Sequence, residues 1–598
     1  MTYARLTAAG VIIGAVIFWL FLRSPSEPAV QQALPAMPEQ IQELSIDKPE
    51  VRTVDDNQAE NALRLLGLWE TDEDTHWDRR TGEAGQYEFS NLSLEGGDIR
   101  ISKLTIGGVR LINPDIPYFD VIEGEAVSVS NPQKDWRGDA ANLILTLPDK
   151  EGTEDFLAGQ ISKPEDTRLY NLIALFLAED SGPPALPEFK AETVRYFETG
   201  ETRQYNPVPQ NSTDSDEIVV PAFDYETVET FETITVETVS LSAQPDTDLY
   251  NFQIKNYRFE SGTVGALDTD KSAISGLTLL GLGVESKDIL RQGDLFADEL
   301  MMSEDDPYNP IYQLLSVTGF NGADGPNQFE IPQFSMSYSA KAGGQFFKNV
   351  QAPIIKVSTA PPPEPAADVD APAYSYHNPF SPEKFIENGT FSYSSESFFD
   401  ETTQTMELRH LTFIKENSFK VSMSHKISGW NGFNSMFQGT FDHYVEEEDP
   451  LAVPDPIEEP KGVQIHHGQI SFSDRGIRDE IFDLMFSEKG LDIEASKNIM
   501  KAPFLLMPTA ARSDYQERLS SDIAASFESF IDVGGRLEMT VAPSQPVVFM
   551  DFMDSFESYI LASSYGLAAD DTSNDQRIRE MDEAMRKVNL SITHNFAD

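Results

Sequence analysis

The hydrophobic residues of this chain alternate with polar ones in short runs, and the alternation slips by one residue within each run. In "IRISKLTI" the apolar positions are Ile99, Ile101, Leu104 and Ile106, so parity changes halfway. Neighbouring side chains of a regular strand point to opposite faces, and an unmodified strand would turn half of this set into water. A bend or bulge resets the parity and keeps the set on one face. The pattern predicts two short strand arms joined at a bend.

The same spacing recurs as an internal repeat. Six more segments carry it: "YEFSNLSL" (87–94), "LTIGGVRL" (104–111), "ITVETVSL" (234–241), "FQIKNYRF" (252–259), "FEIPQFSM" (329–336) and "MELRHLTF" (406–413). A helix does not explain the pattern, because these steps spread the apolar positions around most of its circumference. Gly107 and Gly108 suit a bend, and Pro332 suits a bend or a sheet edge. We expect many short strands in a long, bent and strongly twisted sheet.

Leucine-rich repeats are the competing interpretation. "FETITV", "IKNYRF" and "ISGLTL" begin at 231, 254 and 274, which gives steps of 23 and 20 residues. Those repeats place an Asn or Cys at the ninth position. Here that position holds Val239, Gly262 and Leu282, so the bent β-repeat is favoured.

Charge, proline and helical periodicity divide the chain into segments. Helical insertions are expected at 167–179, 287–302 and 311–318, and a short helix at 59–70. Linker-like breaks with proline and acidic residues oppose a packed core. The predicted order is an N-terminal anchor (1–23), a tether (24–58), a repeat-β body with helical insertions (59–357), a Pro-rich linker (358–382), a β segment (383–445), an acidic Pro-rich linker (446–460) and an α+β unit (461–598).

The last segment changes from strand to helix periodicity. Asp474 can cap a helix whose Ile477, Ile481, Phe482 and Met485 share one face, with Gly490 as its stop. A second helix, with apolar residues every four positions from 515 to 531, ends at Gly534. "RLEMTV" alternates as a strand, and a helix around 574–588 followed by "NLSITHNF" completes an α+β arrangement.

The N-terminal segment predicts a membrane anchor. Residues 6–22 carry no charge and are flanked by Arg5 and Arg23. At ~1.5 Å per residue, this stretch could span ~25 Å of hydrocarbon. We favour an uncleaved signal anchor over a cleaved signal peptide, because "RSPSEPAVQQALPAMP" offers no clean cleavage site. Almost the whole chain would then lie outside the cytoplasm.

Composition excludes several classes of partner and chemistry. The chain has 44 Lys and Arg against 99 Asp and Glu, a net charge of −55. Nucleic acid is therefore not expected as a partner, and electrostatic docking on anionic lipid is disfavoured. The absence of cysteine removes disulfides, thiolate metal sites and a cysteine nucleophile.

The sequence displays no readable catalytic motif. "GLGVES" (281–286) lacks the third glycine of a dinucleotide fingerprint, and no P-loop, H-E-x-x-H or G-x-S-x-G is present. Five of the eight histidines lie between His410 and His467, but His466 and His467 are neighbours in a predicted strand and should face opposite ways. We therefore expect no enzyme, no cofactor, and no catalytic, cofactor-binding or metal-binding residues.

Together, the anchor, the β-repeats and the closing unit "ISFSDRGIRDEIFDLMFSEKG … FIDVGGRLEMTVAPSQPV" resemble the AsmA-like repeat-β envelope proteins of bacteria. The resemblance implies an inner-membrane anchor and an extended β groove or sandwich in the periplasm. For some members it also implies a role in lipid traffic or outer-membrane upkeep. It carries no catalytic residues.

The fold class expected is mainly β: an elongated, twisted repeat-β sheet or groove with an α+β C-terminal part and an N-terminal transmembrane helix. The apolar stripe is either a closed core, which alternation usually means, or an open groove for lipid acyl chains. The function expected is non-catalytic: a single-pass inner-membrane protein, with its bulk in the periplasm, that acts in envelope maintenance and handles lipid in an apolar groove. The alternative is a scaffold that binds other envelope proteins, and an exported enzyme of unknown class comes third.

Overall fold

A computed structural model of the chain describes residues 59–596, apart from shorter interruptions and the stretches 162–174, 177–183, 208–222, 284–311, 360–387, 430–461 and 552–571. The predicted anchor (1–23), tether (24–58) and helix 287–302, and most of helix 167–179 and of both predicted linkers, lie outside the described residues. In the part that is described, no helix is both long and apolar enough to cross a membrane.

The described residues are mainly β, as predicted, and nineteen of their strands pair in antiparallel fashion. The chain divides into two compact units between Pro326 and Asn327. Ten of the nineteen strands belong to the first unit and nine to the second. The predicted body 59–357 therefore contributes strands to both units.

The first unit is an up-and-down sheet in the order β1, β2, β3, β6 to β12, with β4 and β5 paired separately. Helix α1 packs on β1 and β2. Its elements are α1 (Ala59–Leu65), β1 (Arg79–Glu83), β2 (Gln86–Leu94), β3 (Ile99–Gly107), β4 (Arg110–Asn113), β5 (Ile116–Tyr118), β6 (Val121–Asn131), β7 (Trp136–Thr146), α2 (Thr153–Gln160), β8 (Glu188–Pro207), β9 (Phe223–Ala243), β10 (Tyr250–Thr263), β11 (Asp270–Leu282) and β12 (Leu314–Asp324).

A line of unpaired positions crosses this sheet, and we call it the crease. On every second strand it holds a residue with left-handed backbone: Asn91, Ala126, Thr193, Asn256 and Gly319, with φ between 48° and 61°. At the crease, each of the two paired strands skips one residue. The register of the pairing is therefore the same on both sides of the crease. Apolar side chains on both sides of the crease are buried on one face of the sheet. The parity slip is thus a shared bend.

The second unit continues with antiparallel strands in the order β13 to β19 and then β21, and β20 pairs beside β18. Its elements are β13 (Asn327–Lys341), β14 (Gln345–Ser358), β15 (Gly389–Asp400), β16 (Thr405–Lys415), β17 (Phe419–Ser428), β18 (Gln464–Asp474), α3 (Ile477–Lys489), α4 (Ile493–Leu506), a 3-10 turn (Pro508–Ala510), α5 (Asp514–Val533), β19 (Arg536–Val541), β20 (Val547–Val548), α6 (Thr572–Val588) and β21 (Leu590–Asn595).

The predicted start and stop signals of the second unit are present. Asp474 Oδ1 accepts hydrogen bonds from the backbone N–H groups of Gly476 and Arg478 at the start of α3. Gly490 ends α3 in the left-handed conformation, and Gly534 ends α5. Helix α4, in contrast, had no counterpart among the predictions. Pro503 lies inside it, and a proline within a helical pattern argues against a continuous helix.

Two predictions on local structure are wrong in detail. Residues 311–318 do not form a helix: from Leu314 onward they belong to β12, where Leu315 and Val317 alternate into the core. The repeat "LTIGGVRL" does bend at its glycines, but its second arm leaves the sheet. β3 ends at Gly107, Gly108 has a φ of 69°, and Arg110 begins β4, which pairs with β5.

Candidate functional site

The candidate site is the apolar face of the second unit, formed by β14 to β18. Cross-strand partners in an antiparallel sheet lie on the same face, so the register defines the set. Phe399 pairs with Phe346 and Met406, Phe413 with Tyr393 and Val421, and Phe472 with Val421. The face comprises Phe346, Val350, Ala352, Phe391, Tyr393, Phe399, Met406, Leu408, Leu411, Phe413, Phe419, Val421, Met423, Ile427, Ile465, Ile470 and Phe472.

Bulges on alternate strands keep this face continuous. β15 and β17 alternate without interruption, whereas β16 carries an extra residue at Arg409 and β18 one at His466. β14 shows the corresponding shift between Ala352 and Ile355. The extra residues return the second arm of each bulged strand to the apolar side.

Most of the side chains on this face are neither buried nor fully exposed. Phe391, Phe399 and Ala352 are buried, while Phe413, Val421 and Met423 are half-buried. The corresponding side chains of the first unit, such as Phe89, Ile106 and Leu279, are completely buried. Helices cover the second unit mainly on β19 and β21. The face of β14 to β17 therefore keeps apolar surface in contact with solvent.

A row of aromatic rings leads across this face to the helices. Phe391 stacks on Phe413 at 5.7 Å between ring centroids, and Phe413 lies 5.9 Å from Phe419. Phe419 then stacks on Phe472 at 5.8 Å, and Phe472 meets Phe530 of α5 edge-on at 5.8 Å. Such pairs add stability beyond the area they bury. The row fixes the position of the face relative to α5.

The charges on the apolar face differ in sign from the chain as a whole. Across β14 to β18 the face carries Lys348, Lys415 and His425, and its one acidic residue is Asp474. Lys348 lies over the ring of Tyr338, and Lys415 donates to Glu480 of α3 at 3.0 Å. Asp474 is engaged by backbone N–H groups at the start of α3. Burial lowers the pKa of His425 below its ordinary value, so it is neutral at pH 7.

The opposite face of the same strands is mainly polar, with Phe347, Phe398 and Ile414 as apolar exceptions. Ser394 pairs with Thr412, Thr412 with Ser422, and Ser422 with Ser471. The extra residue Arg409 lies on the exposed side, over the rings of Phe347 and Phe398, and its Nη1 is 2.8 Å from Glu396 Oε1. The unit is therefore amphipathic from face to face.

Of the five histidines singled out in the sequence, His443 lies outside the described residues, and the others do not form one cluster. His425 lies on the apolar face, His410 is exposed beside Glu396, and His466 occupies the bulge of β18 with Ser428 Oγ 2.8 Å from its Nε2. Burial, and secondarily the charge of Lys426, lowers the pKa of His466. Within the described ranges, no group of three or more His, Asp or Glu is placed to hold a metal ion.

The comparisons with known proteins add one match. A family model with the description "Uncharacterized protein" matches residues 412–563, which include the end of β16, strands β17 to β20 and helices α3 to α5. The closing unit quoted from the sequence lies inside the matched range, as does the aromatic row from Phe413 to Phe530. No curated protein matches the chain.

Proposed function

We propose that the second unit holds lipid acyl chains on its apolar face, and that the protein handles lipid without catalysing a reaction. The observation that carries the proposal is the half-buried apolar face of β14 to β17, in contrast to the first unit, in which the same side-chain pattern is fully buried. A contiguous apolar surface left in contact with water marks a binding site more often than a defect of packing.

The charges on the face support an amphiphile as ligand. Acyl chains need apolar surface, and the phosphate of a lipid headgroup is repelled by carboxylates. Lys348 lies on the apolar side, Lys415 there is paired with Glu480 of α3, and the one acidic residue of the face is hydrogen-bonded by backbone N–H groups. On the other side, the ladder of Ser394, Thr412 and Ser422 separates the apolar residues Phe347 and Phe398 from a continuous apolar surface.

The location belongs to the same proposal. An anchor at 1–23 would place both units at an inner membrane, in the periplasm of a bacterium, where phospholipid is the abundant amphiphile. The resemblance to AsmA-like repeat-β envelope proteins points the same way. Cell-envelope maintenance is the process in which such a protein would act.

Site-specific photo-crosslinking tests the proposal. A photoreactive amino acid replaces Phe413 or Met423 on the apolar face, and Thr412 or Ser422 on the polar face, in the full chain in its own membranes. We expect phospholipid adducts by mass spectrometry at the first two positions and not at the last two. Because Thr412 and Phe413 are neighbours in one strand, they share local folding and differ in the face they occupy. Adducts at none of the positions, or equally at all four, would reject the proposal.

A scaffold that binds other envelope proteins is the second candidate, and one observation favours it. Strands β8 and β9 remain paired as far as Pro207 and Phe223, whereas β7 reaches β8 only at Glu198 and β10 reaches β9 only at Thr230. The two strands thus extend past their neighbours as a two-stranded ribbon that no other described strand pairs with, and an unpaired strand edge accepts a further strand. Protein crosslinks from residues 199–207 in place of lipid adducts on the apolar face would favour this candidate.

A further inference from the structure

Helix α4 and the turn after it expose several large apolar side chains, beside the polar Glu494 and Asn498. Five large hydrophobic side chains there are 38–64% exposed: Ile493, Ile499, Leu505, Leu506 and Met507. Single exposed apolar residues are ordinary, but several on one short helix form a patch that marks an interaction surface.

The inward side holds this helix firmly. Phe504 stacks on Phe527 of α5 with 4.1 Å between ring centroids, and Lys501 Nζ is 2.5 Å from Asp532 Oδ1. Ser496 is completely buried. The exposed apolar residues are therefore those that have no place in the contact between α4 and α5.

Neighbouring helices of the same unit expose mainly polar residues, apart from Phe486 of α3 and Val533 at the end of α5. α5 presents Asp514, Glu517, Arg518 and Asp522 to solvent. Helix α6 likewise ends with the exposed ion pair of Glu583 and Lys587. Among the described residues, large exposed apolar side chains are thus more numerous on α4 than on α3, α5 or α6.

The charge around α4 identifies the occupant. Between Glu494 and Asp514 the chain has nineteen residues without a carboxylate, in a protein with 99 acidic residues among 598. The stretch holds three basic residues: Lys497 pairs with Glu494, Lys501 with Asp532, and Arg512 is exposed. Although the chain as a whole is acidic, this stretch places no carboxylate of its own against an anionic lipid surface. A phosphate-bearing lipid surface meets apolar side chains and an exposed arginine there.

We propose that α4 and Met507 lie in the interfacial layer of a lipid bilayer, with Ile499, Leu505 and Leu506 among the acyl chains. This surface is separate from the apolar face of β14 to β18, and the proposal stands whether or not that face binds lipid. It assigns the second unit a membrane contact of its own, independent of the N-terminal segment.

Because the chain has no cysteine, one introduced cysteine carries a dye at a chosen site. Leu506→Cys on α4 and Ser521→Cys on the exposed side of α5 are labelled with an environment-sensitive fluorophore. The full chain, reconstituted in nanodiscs, is mixed with vesicles of phosphatidylethanolamine and phosphatidylglycerol, and both lipid populations carry a quencher on the acyl chains. We expect a blue shift and quenching at position 506, and neither at 521.

A matched pair of variants checks that the apolar patch is responsible. Ile499→Glu in the labelled background should lower the apparent lipid affinity of the position-506 signal about tenfold, because a carboxylate must leave water to insert. Val264→Glu, at an equally exposed apolar position of the first unit, should leave it unchanged. Both sites are exposed, so the circular dichroism spectrum should be preserved.

Three results would overturn the proposal. The first is an unchanged signal at position 506 in the presence of lipid. The second is equal quenching at 506 and 521, which would mean unspecific adsorption. The third is a blue shift at 506 that grows with protein concentration without added vesicles, which would mean that another copy covers α4.

Discussion

The two units differ in how their strands keep apolar side chains on one face where the alternation of apolar and polar residues shifts by one position. In the first unit neighbouring strands slip together, so the crease through Asn91, Asn256 and Gly319 bends the sheet and leaves the register intact. In the second unit β15 and β17 do not slip, so β14, β16 and β18 each need an extra residue. A slip shared by paired strands therefore produces a bend, and a slip on one strand of a pair produces a bulge.

Burial separates the two units further. Helix α1 packs against the first unit's sheet and buries Leu63 and Leu66, while Leu157 of α2 is buried as well. In the second unit the helices gather on β19 and β21 and leave β14 to β17 half-buried. The alternation of residues along a strand is the same in both, so what covers the strand decides between core and surface.

The largest expected effect tests this difference in burial. Phe89→Ala in the first unit should lower the free energy of unfolding by about 3–5 kcal/mol, because the ring is fully buried and leaves a cavity. Phe413→Ala in the second unit should cost about 1–2 kcal/mol, since its ring is half-buried. Hydrogen exchange read by mass spectrometry on β2–β3 and on β16–β17 reports each unit separately.

Thr412→Ala is the control for Phe413→Ala, because it truncates a neighbour on the polar face. It should change protection of β16 by less than about 1 kcal/mol. Equal losses for Phe89→Ala and Phe413→Ala would show that both faces are closed cores. The distinction between the units would then fail.

A smaller effect is expected at the crease. Gly319 has a φ of 61°, and an added Cβ would lie 2.3 Å from Ser275 Oγ, so Gly319→Val should cost about 2 kcal/mol or more. Thr193 is a β-branched residue at φ 53°, where Asn is better tolerated, so Thr193→Asn should gain about 0.5–1 kcal/mol. Both changes are read from the urea dependence of exchange in the first unit.

Val317→Ala is the comparison for Gly319→Val in the same strand, since it removes volume without straining the backbone. A stabilising Gly319→Val would mean that the crease is not set by left-handed backbone. A destabilising Thr193→Asn would point to a role for the threonine methyl group beyond backbone geometry.

Much of this arrangement could be predicted from residue order, and the exceptions have physical reasons. The bend was visible at Asn91 and Asn256, because large apolar residues flank it on both sides. It was missed in β6 and β12, where Gly124 and Gly322 stand in place of an apolar residue. The helix predicted at 311–318 was wrong because a short apolar run fits either period, and pairing with β11 selects the strand.

The candidate site was harder to predict than the fold. The alternation of apolar and polar residues placed Phe413 and Met406 on one apolar stripe. A closed core and an open groove give the same alternation, so the pattern does not separate them. Their difference depends on where helices pack, which is a long-range property. Helix α4 was missed because Pro503 lies in it and several of its large apolar residues are exposed, so the apolar positions do not mark its buried side.

The smallest expected effect concerns pH and belongs to the second unit. Burial lowers the pKa of His425 below its ordinary value of 6.5, so the folded chain takes up this proton less readily than the unfolded chain. His425 therefore does not reduce the free energy of unfolding above pH 6.5. That free energy decreases as the pH falls from 6.5 toward the lowered pKa. His425→Gln should flatten this part of the pH profile of β16–β17 exchange protection. His410→Gln, an exposed histidine of the neighbouring strand, should leave the slope as it is. An unchanged slope in His425→Gln would mean that His425 does not cause the pH dependence. The apolar face around His425 and its partners Leu408 and Gly468 would then be more hydrated than the burial of His425 implies.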